Sequence, residues 1–230
     1  MTEEAVVRQV RYVGPEVFEL TLERPAWLRF VPGDCLALFA ENGRVSRPYS
    51  IASGAHEGEV RFLVRCLPGG EVSPYLASRT PGDRVAVSPP FGWFRPGEHR
   101  DKRPFVFVAT GTGMAPFFSF LRTEPESRPL ACYYGVRMAH DLVDPEWLQQ
   151  RCPISIAVSR EAAPGYHHGR VTALLTQAPP APGVDYYLCG LDAMIDEVTD
   201  WLQAGGVPIQ HIHRECFFNA SPIDEGLTRP

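Results

Sequence analysis

The chain has 230 residues, 44% of them hydrophobic and 21% charged, with a formal net charge of −5. That length holds one large domain or two of ordinary size, and the acidic balance offers nucleic acid neither a global attraction nor a basic tail. No stretch approaches the roughly 20 apolar residues needed to span a bilayer, and the acidic start Met1-Thr2-Glu3-Glu4 does not read as a signal peptide, so cytoplasm is the expected location.

In chain order, Ala5–Val13, Val17–Glu23, Cys35–Ala40, Arg47–Ala52, Val60–Cys66 and Arg84–Ser88 are short runs rich in Val, Leu and Phe. Gly14-Pro15, Pro32-Gly33-Asp34, Asn42-Gly43 and Pro81-Gly82-Asp83 punctuate them as turns. The spacing predicts a six-stranded antiparallel Greek-key β-barrel, with one helix over Ser73–Arg79. From Pro104 the rhythm changes. Phe105–Ala109, Leu130–Tyr134, Ile154–Val158 and Tyr186–Cys189 are continuous apolar runs, each followed by a polar or helical stretch such as Met114–Leu121 and Asp192–Ala204. That alternation predicts an α/β parallel-sheet nucleotide-binding domain with helices on both faces. The linker-like segment 96–104 divides the chain into domains expected at 1–99 and 104–230, with a polar tail over 219–230.

The six cysteines, Cys35, Cys66, Cys132, Cys152, Cys189 and Cys216, include no close pair, so the usual local spacings for zinc or an iron–sulfur cluster are missing and no metal is expected. They read as reduced thiols, mainly small core hydrophobes, and Cys216 is left in the core.

Two motifs carry chemistry. In Arg47-Pro48-Tyr49-Ser50-Ile51, strand alternation puts Arg47, Tyr49 and Ile51 on one side and Ser50 on the other. An arginine fork suits a diphosphate, a tyrosine ring can lie on a flat heterocycle, and a serine hydroxyl can donate to a ring nitrogen. Gly70-Glu71-Val72-Ser73 then leads into the predicted helix, where glycine allows close backbone approach and a helix N-terminus offers N–H groups to an anion. In the rear half, Phe105–Ala109 runs into Thr110-Gly111-Thr112-Gly113-Met114-Ala115-Pro116, a strand, a glycine-rich turn and a helix start. This has the logic of a dinucleotide fold without its Gly-x-Gly-x-x-Gly fingerprint, because Pro116 stands where the third glycine would be.

With both motifs in hand, the chain resembles the ferredoxin–NADP⁺ reductase superfamily. The ordered matches are Arg47-Pro48-Tyr49-Ser50, Gly70-Glu71-Val72-Ser73, Gly111 to Pro116, Tyr134-Gly135-Val136-Arg137, Val158-Ser159-Arg160-Glu161 and Cys189-Gly190. The resemblance implies an FAD-dependent NAD(P)H oxidoreductase. In it Arg47 binds the flavin phosphates, Gly70, Glu71, Val72 and Ser73 complete that site, and Pro48, Val64 and Arg65 join it. Tyr49 would stack on the isoalloxazine, and Ser50 would hydrogen-bond near flavin N5. Thr112, Gly113, Met114, Ala115 and Pro116 would receive the nicotinamide nucleotide's pyrophosphate, with Arg137, Ser159, Arg160 and Arg170 towards its adenosine end. Cys189 and Gly190 would flank the nicotinamide. Glu215 and Phe217 or Phe218 are candidates for the carboxylate and aromatic that family members place by the flavin. Ser50, Cys189 and Glu215 are thus the catalytic candidates, although Glu215 beside Arg214 reads equally as a surface ion pair.

NADPH is expected over NADH, because its 2′-phosphate needs cations and Arg160 and Arg170 stand where the adenosine end should lie. Without iron–sulfur ligands the electron acceptor must be a separate carrier, with a small ferredoxin or flavodoxin as first choice. The alternatives are a free-flavin reductase, a reductase component for a cytochrome or oxygenase, and an electron-transfer subunit of a larger complex. Arg95, His99, Arg100, Lys102 and Arg103 form the only dense cationic run, read as a solvated loop before a docking patch. Neither the acceptor nor the oligomeric state follows from the sequence.

Overall fold

The computed structural model describes residues 2–41, 43–97 and 103–217. The front half holds β1 (Glu3–Tyr12), β2 (Val17–Glu23), β3 (Cys35–Phe39), β4 (Ser46–Ser50), β5 (Glu59–Arg65), α1 (Val72–Ala77) and β6 (Arg84–Val87). Its six strands pair antiparallel in the order β4-β3-β6-β1-β2-β5, and an Ile51–Phe62 bridge returns the end of β4 onto β5. Phe18, Leu20, Leu22, Leu36, Leu38, Phe62 and Val64 fill the interior. Each such side chain contributes about 1.5–3 kcal/mol when taken out of water, which explains why the valine- and leucine-rich runs are the strands.

The rear half runs β7 (Phe105–Thr110), α2 (Ala115–Thr123), β8 (Ala131–Val136), α3 (Pro145–Arg151), β9 (Ile154–Val158), β10 (His167–His168), α4 (Val171–Leu175), β11 (Asp185–Gly190), α5 (Asp192–Ala204) and β12 (Ile212–Cys216). The strands are parallel, in the order β10-β9-β8-β7-β11-β12. The period of two along β7 sends Phe105 and Phe107 to one face and Val106 and Val108 to the other, and helices cover both. The first face is aromatic: Phe107 stacks on Phe117 of α2 at 4.3 Å between ring centroids. Removing such a ring, as in Phe107→Ala, costs about 3–5 kcal/mol.

The halves share a core. Phe94, from the segment after β6, sets its ring 5.8 Å from those of both Phe117 and Tyr187. Arg122 of α2 reaches Glu57 at 3.9 Å in front and Asp144 at 3.6 Å behind, while the Ala55 N–H donates to Thr123 Oγ1 at 2.9 Å. The barrel therefore meets the rear sheet on a packed face.

Two sequence expectations need correction. Cys216, left in the core, is exposed, because it lies on β12, an edge strand whose alternate side chains face outward. That strand was itself not expected: Ile212-His213-Arg214-Glu215-Cys216 is too polar to read as a buried run. It nonetheless pairs with β11 along its whole length.

Candidate active site

Strand order in the rear sheet reverses between β7 and β11, since β8 lies on one side of β7 and β11 on the other. In parallel sheets the crevice beyond the carboxyl ends of two such strands is where ligands bind. Here those ends are Thr110 and Gly190. A Cβ on Gly113 would run into the backbone of Cys189, and one on Gly190 into Thr110. Glycine at both positions lets the turn before α2 lie directly on the end of β11. Gly190 also has φ +136°, a conformation that side-chain-bearing residues rarely adopt. Thr110 Oγ1 accepts the Leu191 N–H at 2.9 Å and fastens the two ends.

The barrel closes the opposite side. A cleft of about 1290 Å³ runs between the halves, with Arg47, Pro48, Tyr49 and Ser50 of β4 on its front wall. Tyr49 packs its ring against the barrel core, and burial pushes its phenol up to about 12, so it stays neutral. The Gly70-Glu71-Val72-Ser73 segment forms the far corner of the cleft. It is shaped by Ser73 Oγ accepting the Leu67 N–H at 3.0 Å and by the Gly70 N–H donating to Leu67 O at 3.0 Å.

Where β4 meets β12 across the boundary, Ser50 Oγ donates to Glu215 Oε2 at 3.1 Å. Cys189 Sγ lies 3.8 Å from the same oxygen, because Cys189 and Glu215 are register partners on β11 and β12. Cys35 Sγ lies 3.3 Å from Ser50 Oγ and 3.9 Å from Glu215 Oε1. Burial raises the carboxyl pKa of Glu215 above the usual glutamate range, only partly offset by Ser50, Cys189, Arg95 and Cys35. The three catalytic candidates thus converge. The ion-pair reading of Glu215 fails, since its partner is Ser50. Cys35, read as a plain core thiol, joins them.

Arg65, Arg137, Ser159, Arg160 and Arg170 line the other arm of the cleft. Burial lowers the Arg137 pKa, and repulsion from Arg65 and Arg160 lowers it further. Glu16, paired with Arg65 at 2.8 Å, and Asp141 offset part of this repulsion, and the remaining positive charge favours an anionic ligand. Glu161, by contrast, turns away: its Oε1 accepts the Ala139 N–H at 2.6 Å.

Other expected residues stand back from the cleft. Val64 is sealed in the barrel core. Gly113, Met114, Ala115 and Pro116 are buried at the turn and first residues of α2, so of that motif the side chain of Thr112 lines the cleft. Phe217 reaches it and donates its N–H to Gly190 O at 2.9 Å, whereas Phe218 lies outside the described residues. Of the cationic run, Arg95 is committed to Asp34 at 2.9 Å, and His99, Arg100 and Lys102 lie outside the described residues.

The donor set fits a flavin nucleotide along β4 and a nicotinamide nucleotide across β7 and β11. The cleft exceeds the roughly 300–1,000 Å³ usual for one small ligand, and it offers flat aromatic and cationic walls together with glycine-backed strand ends. Fold and site define a two-domain flavin- and nicotinamide-dependent oxidoreductase. Residues 6–95 match the oxidoreductase FAD-binding domain family, and residues 107–200 match the oxidoreductase NAD-binding domain family. The chain is 33% identical to the toluate 1,2-dioxygenase electron transfer component of Pseudomonas putida, over 93% of its own length and 67% of that protein's. It is also 33% identical to ferredoxin–NADP reductase B of Sorangium cellulosum, over 93% of its own length and 97% of the other. Among solved structures, an Amycolatopsis cytochrome P450 reductase superposes with a TM-score of 0.84 at 28% identity, over 96% of this chain and 71% of that one. The chain belongs to the ferredoxin–NADP⁺ reductase superfamily.

Proposed function

We propose that the chain is an FAD-dependent NADPH oxidoreductase that feeds a separate one-electron carrier protein. The observation that carries this reading is the meeting of Ser50, Glu215 and Cys189 where the two halves of the cleft join, with Ser50 Oγ and Glu215 Oε2 3.1 Å apart. Bound FAD would supply the chemistry, taking up hydride as a pair of electrons and releasing them singly. The protein supplies position. Arg47 and the Gly70–Ser73 corner hold the flavin's phosphates, Tyr49 covers its ring, and Ser50, whose one hydroxyl hydrogen goes to Glu215 Oε2 without a ligand, would turn it towards N5 when the flavin is bound. Cys189 and Gly190 set the depth of the nicotinamide at the end of β11. Thr112 and the turn of buried glycine and apolar residues behind it receive the pyrophosphate.

NADPH is favoured over NADH because Arg160, Arg170 and Arg137 line the arm where the adenosine end would lie, and Glu161, which follows Arg160, is engaged by the Ala139 N–H. No helix among the described residues is long and apolar enough to cross a membrane, which suits exchange with a soluble carrier in the cytoplasm. The carrier is a small ferredoxin or flavodoxin in the first reading. The similarity to a dioxygenase electron transfer component supports a second, in which the acceptor is a component of an oxygenase system.

The test is direct. The purified chain should be yellow, release FAD at about one per chain on acid treatment, and be bleached anaerobically by NADPH faster than by NADH. Protein that neither retains nor rebinds FAD, or is not reduced by either nucleotide, overturns the proposal. Rates towards a ferredoxin, a flavodoxin, cytochrome c and an iron–sulfur oxygenase component then separate the two readings, and turnover of free flavin alone sinks both.

A further inference from the structure

The segment after β6 sends its aromatic side chains in opposite directions. Phe94 enters the core shared by the two halves, whereas Phe91 is 47% and Trp93 97% exposed, both at the mouth of the cleft. An indole left wholly in water adds nothing to the fold, and its apolar area is available for burial by another molecule. The backbone nonetheless fixes where it stands. Phe91 and Cys35 exchange both of their main-chain hydrogen bonds, at 2.7 and 3.0 Å, and Cys35 Sγ lies 3.3 Å from Ser50 Oγ. A Cβ on Gly92 would meet Gly33 O, so the segment lies directly on the 31–34 turn, which carries Val31, itself 48% exposed. Val31, Phe91 and Trp93 thus stand on adjoining segments as an apolar patch on the barrel side of the mouth.

Little net charge surrounds them. Across residues 27–35 and 89–97 the charged groups are Arg29, Asp34 and Arg95, and the last two are paired at 2.9 Å. Arg29 is exposed, and its guanidinium donates to the carbonyls of Ala26 and Leu28. Residues 98–102 add two acids and two cations to the sequence. On the rear side, exposed Arg214 of β12 shares the neighbourhood of Cys216 with Asp192 and Asp196. A surface so balanced has little field with which to steer a partner.

We propose that this patch is the docking surface for the electron acceptor, and that it selects the carrier by apolar contact rather than by opposite charge. The partner is a small one-electron carrier protein with an uncharged apolar rim around its redox centre, seated on Trp93 and Phe91. This rests on the reading of the cleft as a flavin site. A carrier seated there stands beside the Cys35–Ser50 corner, where electrons would leave, without entering the space that the nucleotide fills. Two carriers dock in turn for each NADPH, each taking one electron, and one proton is released. Tryptophan commonly carries the binding energy at the centre of an interface, with charged residues kept to the rim, as Arg29 is here.

The experiment measures NADPH-driven reduction of ferricyanide, a [2Fe–2S] ferredoxin and a flavodoxin by FAD-loaded protein. Ferricyanide needs no docking surface. Trp93→Ala should lower kcat/KM for the carrier that wild type reduces about ten- to a hundredfold, the loss of one interface hot spot, and leave the ferricyanide rate unchanged. Trp93→Phe should recover part of it. Raising salt from about 20 to about 300 mM should change the wild-type carrier rate less than about threefold, and Arg29→Gln should do no more. A fall of about tenfold or more with salt, or an unimpaired Trp93→Ala, shows docking by charge and overturns the proposal. Lost FAD or a raised KM for NADPH in Trp93→Ala overturns it by assigning the indole to ligand binding. A wild-type dimer that Trp93→Ala separates overturns it by seating a second copy on the patch. Wild type that reduces ferricyanide but neither carrier keeps the flavin reading and loses the docking surface. Wild type that NADPH does not reduce at all removes the flavin reading itself, and the proposal with it.

Discussion

The two halves bring side chains to the same point by opposite routes. In the barrel, Cys35 and Ser50 face each other because β3 and β4 form a hairpin, each residue standing seven positions from the Asn42-Gly43 turn signal. In the rear domain, Cys189 and Glu215 face each other because β11 and β12 are parallel neighbours, joined only through the whole of α5. An antiparallel pair is centred on its turn, so a local signal sets its register, whereas a parallel pair needs a crossover and its register is set by packing. The site is assembled where a locally specified wall meets a globally specified one. Damage to the first should read out as lost chemistry on an intact fold, and damage to the second as both.

The largest effect should come from the local wall. Ser50→Ala should keep FAD and bind NADPH almost normally, yet be reduced about ten- to a thousandfold more slowly, the usual cost of removing a preorganised donor from a site of developing charge. Anaerobic stopped-flow reduction at saturating NADPH isolates that step from the acceptor. Reduction at the wild-type rate would leave the serine without its role. Next comes the cationic arm of the rear wall. Arg160→Ala or Arg170→Ala should lower kcat/KM for NADPH roughly ten- to hundredfold, the value of one charge-assisted contact, and leave NADH nearly untouched. An unchanged ratio between the two nucleotides in both variants would remove the support for NADPH.

This contrast also explains what the sequence disclosed. The barrel strands were legible to within a residue or two because each is a short apolar run between turn residues, and Ile154–Val158 and Asp192–Ala204 were legible to the residue. The front motif from Arg47 to Ser50 lines the cleft. Cys35 was missed although its signal was present, since counting outward from Asn42-Gly43 reaches Cys35 and Ser50 together. Strand β12 was missed for a physical reason: an edge strand buries only alternate residues, and here Ile212 is the one deeply buried apolar side chain. Glu215 could be nominated only through resemblance, because nothing local distinguishes it from a glutamate beside a surface arginine. The apolar side chains of Val64 and Met114 belong to the cores, which leaves only their main chain to meet a ligand.

A smaller effect probes how the two walls are joined. In Gly113→Ala the new methyl meets the Cys189 main chain, which cannot swing aside as a side-chain tip can. Such overpacking costs about 1–3 kcal/mol. It should lower the urea midpoint and also weaken nucleotide binding, since the same turn lies at the mouth of the cleft. Gly58→Ala is the control. A Cβ there meets nothing within 4 Å, so its midpoint should hold or rise slightly. Equal midpoints for the two variants would show that the turn before α2 does not depend on contact with β11.

The smallest effect is on stability against pH, and it singles out Glu215. Burial raises its carboxyl pKa in the folded protein above the ordinary glutamate range, so over that window the folded state holds a proton that the unfolded state has released. Stability from this group is therefore fully present below the ordinary glutamate pKa and is lost as pH rises through the folded value. Glu215→Gln cannot titrate and should lack that decline. Its amide can still accept from Cys35 or Ser50, so packing at the boundary should survive. Thermal midpoints of variant and wild type, compared across about pH 4 to 8, should lie close together at the acid end, with the variant gaining relative to wild type as pH rises. The local wall supplies the contrast. Ser50→Ala removes a donor to the charged carboxyl, so it should push the Glu215 titration higher and steepen the decline. If Glu215→Gln instead loses ground with rising pH, Glu215 is ionised and stabilising in the folded protein, and burial does not hold its proton.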